Sequence, residues 1–175
     1  AARKALTKGT VLQALKDTAE GTATIFIIVV GASIFSRFMS FSQLPAVMSD
    51  WMMGITDSQL TILLAVAVIY LLLGTILESV SIMLLTIPLL MPMLQATGID
   101  LIWFGIIVIK LLEIGLCTPP VGMNVYVIKS SLGNQVPLGT IFRGVGWFIA
   151  VDLITLGLLM AFPQISLWLP SLMAQ

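Results

Sequence analysis

Two short runs in this chain hold residue types that could bind a ligand inside an apolar protein. The first is Thr118-Pro119-Pro120-Val121-Gly122-Met123-Asn124. Proline has no N–H, so Pro119 and Pro120 cannot bond back to the carbonyls of Gly115 and Leu116. Two adjacent carbonyls are therefore expected to be free where water is scarce. Gly122 removes a side chain and lets backbone or ligand approach closely, while Thr118 and Asn124 add side-chain oxygens. Such a set suits a hard cation such as sodium, which takes several oxygen ligands, and discontinuous membrane helices of transporters supply ion ligands in this way. The alternative is a proline kink that only shapes a helix. A lone proline would favour the kink; Thr-Pro-Pro-x-Gly between apolar segments favours an ion or substrate site.

The second run is Gly74-Thr75-Ile76-Leu77-Glu78-Ser79-Val80-Ser81. A carboxylate inside an apolar segment is costly and normally faces a cavity or a partner. Glu78, Ser79 and Ser81 could offer oxygens at the tip of a hairpin, and the N-terminus of the helix after it would favour an anion nearby. Equally, Glu78 could cap a helix at the membrane interface. Other chemistries find little support. The chain has no histidine, which removes His-based catalysis and His-based metal binding. Its one cysteine, Cys117, excludes an internal disulfide and reads as a small packing residue. An intramembrane enzyme would need a nucleophile–base pair, and Ser79 or Ser81 with Lys110 has no supporting spacing.

These runs must be positioned by membrane helices. Of 175 residues 59% are hydrophobic and 9% charged, against about 25% charged in soluble domains. A chain this apolar takes lipid as its solvent. The zero net charge offers no field for nucleic acid. Residues 1–21, with Arg3, Lys4, Lys8 and Lys16 around Val11, Leu12 and Leu15, suit a basic amphipathic helix on the cytoplasmic surface, or a solvated leader. Residues 22–59 hold a span ending near Phe38 and an interfacial stretch with Pro45, Asp50, Trp51 and Asp57. Residues 60–96 would measure about 50 Å as one helix, far beyond a roughly 30 Å hydrocarbon core. The apolar piece after Ser81 is only about 20 Å long. Two short arms around Glu78–Ser81 predict a re-entrant helical hairpin. Residues 101–130 form a discontinuous span and 141–163 a last span with Asp152 inside it.

Charge placement agrees with this order. A hairpin that returns to its own side leaves Asp100 outside with the Asp50/Asp57 stretch, and puts Lys129 and Arg143 inside. Six of the eight basic residues then lie inside, as the positive-inside rule favours. Lys110 and Glu113, three apart, are expected to pair, and the partner of Asp152 is not evident from sequence. Gly144, Gly146 and Gly157 are expected to permit close helix packing. The chain begins Ala-Ala-Arg-Lys, without an initiator methionine or a signal-peptide pattern, and is expected to be a piece of a longer protein.

At the two runs, and at Pro88-Leu89-Leu90-Met91-Pro92 between them, the sequence resembles the large membrane subunit (the DctM-type permease) of tripartite ATP-independent periplasmic (TRAP) transporters. The resemblance covers most of this chain but only the C-terminal part of such a subunit. It implies an all-α integral membrane protein of the bacterial inner membrane, multi-pass, forming one half of an inverted-repeat, elevator-type transporter. It further implies sodium-coupled import of an organic acid, such as a C4-dicarboxylate or a sialic acid, delivered by a periplasmic substrate-binding protein, with a small membrane subunit completing the complex. By this likeness Thr118, Gly122 and Met123 hold a sodium ion, Met123 through its carbonyl, with Glu78 beside it. Ser79, Ser81, Pro119, Pro120 and Asn124 lie toward the substrate. A sodium–dicarboxylate symporter without a binding protein and a non-transporting scaffold subunit are the competing readings; broken helices and an intramembrane glutamate argue against the scaffold.

Overall fold

A computed structural model describes residues 7–55, 58–133 and 135–173, and every regular element among them is an α-helix. Arg3, Lys4 and Asp57, part of the expected charge layout, lie outside the described residues. α1 (Lys8–Ser42) opens with Thr7 accepting from the Thr10 amide at 3.2 Å and runs 35 residues without a break, about 52 Å. The expected surface helix over 1–21 and the span after it are thus continuous in the described part. Thr18, Thr24, Ser33 and Ser40 each return their hydroxyl to the carbonyl four residues back. Polar groups on an apolar helix are satisfied within it, as lipid requires. Gln43, in a left-handed conformation, ends α1, and α2 (Leu44–Ile55) turns back against the bundle.

α3 (Gln59–Gly74) and α4 (Ser79–Thr97) form an antiparallel pair around a short turn. Two cross-links fix their register. Gln59 Nε2 donates to the Thr97 carbonyl at 2.8 Å across the open end, and the Tyr70 and Thr86 hydroxyls bond midway. The pair therefore leaves on the side from which it entered. The second arm is longer than expected. Glu78 starts the helix at Ser79, and it continues through Pro88 and Pro92 to Thr97, about 28 Å.

α5 (Leu101–Cys117) is the central helix, capped by the Asp100 carboxylate on the amides of Ile102 and Trp103. Its Ile107, Val108, Leu111 and Ile114 bury against Ile62, Leu63, Val66 and Tyr70 of α3. After a non-helical segment the chain resumes as α6 (Met123–Leu132), then α7 (Leu138–Ala161) and α8 (Gln164–Met173). α7 runs antiparallel to α5, tied by Trp103 Nε1 donating to the Leu159 carbonyl at 2.7 Å and by Lys110 Nζ to Asp152 Oδ1 at 2.8 Å, in one register. Lys110 also reaches Glu113 at 2.8 Å. Asp152 thus has the partner that sequence does not name.

Around this core the outside is apolar. Phe26, Ile27, Ile34 and Phe38 of α1 and Trp147, Phe148 and Val151 of α7 all stand exposed. α1, α4 and α7 are long and apolar enough to cross a membrane. The packing glycines are not those expected. A Cβ on Gly144, Gly146 or Gly157 would meet nothing within 4 Å, whereas Gly74 and Gly115 touch backbone to backbone.

The Lys110 network makes an unequal prediction. Asp152→Asn strips a partly buried lysine of its interhelical partner, and a loss of about 2–4 kcal/mol is expected. Glu113→Gln, on a side chain 57% exposed, should cost under about 1 kcal/mol. Unfolding of the detergent-solubilised variants measures both, and equal losses would show that Lys110–Asp152 is not the tie between α5 and α7.

Candidate functional site

The break between α5 and α6 arises from its residues. Thr118 is extended (φ −90°, ψ 138°), and Pro119 and Pro120 supply no donors. Gly122, left-handed at φ 60°, restarts the chain as the N-cap of α6, its carbonyl accepting from the Val125 and Tyr126 amides at 2.8 and 3.3 Å. A β-carbon at Gly122 would lie 3.1 Å from Phe142 Cε1 of α7 and 3.3 Å from the Thr118 carbonyl oxygen. Glycine is thus demanded here by both conformation and space.

The freed carbonyls differ from expectation. Gly115 is not free: the Thr118 amide donates to its carbonyl at 3.0 Å, and the Thr118 hydroxyl donates to the Ile114 carbonyl at 2.6 Å. Instead most carbonyls from Leu116 to Val121 accept no hydrogen bond among the described residues, while a turn closes from Thr118 over residues 119–121. Carbonyls without an amide partner need water or another donor, and around the exposed Pro119, Pro120 and Val121 solvent can supply it. Thr118 adds to the run, because a hydroxyl that donates its hydrogen keeps lone pairs for an ion. Met123 comes next, as the first residue of α6. No cluster of three His, Cys, Asp or Glu side chains stands among the described residues; the oxygens of the break are those of the backbone, the Thr118 hydroxyl and the Asn124 amide. Such neutral, hard donors fit a hard monovalent ion.

The hairpin tip is brought to this break by one contact. An added Cβ on Gly115 would lie 2.8 Å from Gly74 Cα and 2.9 Å from its carbonyl carbon. Gly74 is the last residue of α3, and Gly115 stands three residues before Thr118. Thr75, buried, bonds back to the Leu72 carbonyl, and Ile76 and Leu77 complete the turn.

Glu78 is the N-cap of α4. Its Oε1 accepts from the Val80 amide at 3.0 Å, and its Oε2 from the Ser81 amide and hydroxyl at 3.1 and 3.2 Å. Of the two readings open in the sequence, the cap is the geometry present, at the turn between α3 and α4. The start of α4, expected to favour an external anion, is filled by the chain's own carboxylate. Ser81 is committed to Glu78; Ser79, first in α4, is half-buried. Across the break, Asn124 Nδ2 donates to Cys117 Sγ at 3.6 Å, so the cysteine does more than fill space. Pro119 and Pro120 lie exposed on the outer edge of the break. Sequence reasoning missed Gly115 and Phe142. Gly115 carried one faint signal, a glycine in an otherwise apolar helix just ahead of two prolines.

With this geometry in place, likeness to known proteins gives it a family. Residues 1–165 match the family described as tripartite ATP-independent periplasmic transporter, DctM component. The sialic acid TRAP transporter large permease protein SiaM of Vibrio cholerae is 38% identical over 161 residues, covering 92% of this chain and 37% of that protein. The C4-dicarboxylate TRAP transporter large permease protein DctM of Pseudomonas aeruginosa is 31% identical over 157 residues, 90% of this chain and 36% of that protein. The isethionate TRAP transporter permease protein DctMQ of Oleidesulfovibrio alaskensis is 32% identical over 122 residues, 70% of this chain and 19% of that protein. The chain spans less than two-fifths of the length of these relatives, which are permeases and not enzymes. It is a membrane protein, and it belongs to the DctM family of TRAP transporter components.

Proposed function

We propose that this chain forms part of the permease of a sodium-coupled secondary transporter that imports an organic acid across the bacterial inner membrane. The supporting observation is the run of largely unbonded carbonyls from Leu116 to Val121, held beside the hairpin tip by the Gly74–Gly115 contact. Thr118, Gly122 and Met123 surround a sodium ion there, and Glu78 contributes by fixing the start of α4 beside it. Ser79, Asn124, Pro119 and Pro120 face the substrate, with Ser81 acting through Glu78. Sodium binding orders the break and raises affinity for the anion; the anion raises affinity for sodium by the same factor. The relatives' names cover sialic acid, C4-dicarboxylates and isethionate, so the substrate class is a small organic anion. A periplasmic binding protein delivers it, and a small membrane subunit completes the assembly.

In this reading the α3–α4 hairpin is re-entrant, with its tip near the mid-plane of the bilayer. Gly115 lies beside the tip, and Trp103, 12 residues earlier on α5, stands about 18 Å above it, buried against α7 with its indole N–H on the Leu159 carbonyl. Lys129 then points to the cytoplasmic side, where its ammonium caps the end of α6 on the Gly133 and Val136 carbonyls. The hairpin and broken helix, with α7 tied to α5 through Lys110–Asp152, move together against the rest of the permease, in the manner of an elevator.

Uptake into liposomes tests this. The full-length parent, its small subunit and its binding protein would be given labelled organic acid with and without an inward sodium gradient. Uptake should require sodium and the binding protein. Thr118→Ala should lower it about tenfold, the size of one lost ion-directed oxygen contact, and Gly122→Val, strained at positive φ and against Phe142, should abolish it. Uptake indifferent to sodium, or wild-type rates in both correctly inserted variants, would contradict the assignment; sodium-driven uptake without the binding protein would indicate a simple symporter.

Glu78 separates a cap from a ligand. Glu78→Ala should cost about 1 kcal/mol of stability. Glu78→Gln keeps an acceptor for the α4 amides and should leave the sodium concentration for half-maximal uptake within about threefold. A rise of tenfold or more in that concentration would make the carboxylate an ion ligand.

A further inference from the structure

A second polar place lies away from the tip and the break, in a groove between α1 and α4. It is lined by Ala32, Ser33, Ser36, Arg37, Leu84 and Pro88 and encloses about 390 Å³. Arg37 is the only charged residue of α1 beyond Glu20. Its guanidinium has no ion pair or hydrogen bond among the described residues, and neither does the Ser36 hydroxyl. The Ser33 hydroxyl is taken by the Val29 carbonyl. Two unpartnered donors therefore stand side by side over apolar walls from α4. An arginine on a lipid-facing helix needs an anionic partner or the aqueous boundary.

Depth identifies that partner. Glu20 and Arg37, the charges that bound the apolar stretch of α1, are 17 residues apart on one unbroken helix, about 25 Å, within snorkelling reach of a roughly 30 Å hydrocarbon core. With Glu20 at one boundary, the Arg37 guanidinium reaches the other. α4 gives an independent ruler. Pro88 lies nine residues from Ser79 at the tip, about 14 Å. With the tip at the mid-plane, Pro88 stands near the same boundary. The second ruler rests on the re-entrant placement proposed above; the first does not. Both put the groove where phospholipid phosphates lie.

We propose that the α1–α4 groove binds a phospholipid of the leaflet opposite Glu20, its phosphate held by Arg37 and Ser36 and an acyl chain laid against Ala32, Leu84 and Pro88. Charge favours an anionic headgroup such as phosphatidylglycerol, which brings no ammonium of its own to compete for the phosphate. A lipid seated there bridges α1 and the second arm of the hairpin.

Native mass spectrometry of the detergent-purified protein tests this with phosphatidylglycerol and with diacylglycerol, which has the same chains and no phosphate. The wild type should retain phosphatidylglycerol about tenfold more strongly, the size of a charge-assisted hydrogen bond. Arg37→Gln should erase that preference, while Arg143→Gln, a cation outside the groove, should keep it. Leu84→Trp, which fills the apolar wall, should weaken both lipids. Circular dichroism of each variant confirms that it remains helical. Equal retention of the two lipids by wild type, or an unchanged preference in Arg37→Gln, would overturn the proposal. So would a photocrosslinker at Ser36 in the assembled parent that labels polypeptide and no lipid. None of these outcomes bears on sodium-driven uptake, so the two proposals fail separately.

Discussion

The approach of Gly74 to Gly115 is the constraint on which the rest of the structure depends. Two helices meet with no side chain between them, at the last residue of α3 and near the end of α5. Each helix gives way to irregular backbone, α3 to the hairpin turn and α5 to the proline break. Bringing the two glycines together therefore brings the two irregular segments together. Any β-carbon at Gly115 would occupy the space of Gly74's own backbone, which cannot swing aside as a flexible side chain could. The long apolar contact of α3 along α5, with Ile62, Val66 and Tyr70 against Ile107 and Leu111, keeps the arms straight enough for the glycines to meet.

The same physics explains why polar groups gather where they do. In lipid a helix satisfies its own backbone, and the Thr18, Thr24, Ser33 and Ser40 hydroxyls of α1 turn inward to its carbonyls. Where the backbone stops being helical, that internal supply ends, and irregular backbone is stable only against protein or trapped water. In the break Gly122 packs against Phe142, and Gly115 just before it packs against Gly74. At the tip Glu78 supplies its own solution, its carboxylate replacing the carbonyls that the first amides of α4 lack. Further along α5, Lys110 does the same for two carboxylates, binding Asp152 across to α7 and Glu113 on its own helix. Glu78, Lys110, Glu113 and Asp152 are thus each tied to a neighbour, and Arg37 is a contrast.

Much of this is legible in the residues alone, and the parts that are not share a cause. Proline's missing donor predicts a helix break wherever it stands, so Thr118–Gly122 was readable from residue type. The hairpin was readable from length, because residues 60–96 are too long for one crossing and polar in the middle. The family resemblance rested on the same residues. Local pattern could not say which glycine meets which. Gly144, Gly146 and Gly157 look equally suited to packing and face open space, while Gly115 is decisive. It could not find the partner of Asp152, because Lys110 lies 42 residues away and only the α5–α7 register joins them. It expected the Gly115 carbonyl to be free along with that of Leu116, but the Thr118 amide and hydroxyl turn back onto Gly115 and Ile114. In each case a long-range contact, or a local bond that competes with the regular one, decided the outcome.

The most direct test compares alanine at two glycines in the full-length parent, reading thermal stability and sodium-driven uptake together. Alanine is the better helix former by roughly 0.5–1 kcal/mol, so at Gly157, where a β-carbon meets nothing, it should be neutral or slightly stabilising and leave uptake intact. At Gly115 overpacking should outweigh that gain, at about 1–3 kcal/mol, lower the melting temperature and remove sodium-driven uptake. If Gly115→Ala melts and transports like Gly157→Ala, the two backbones do not need to touch, and the hairpin tip is not held against the break as described.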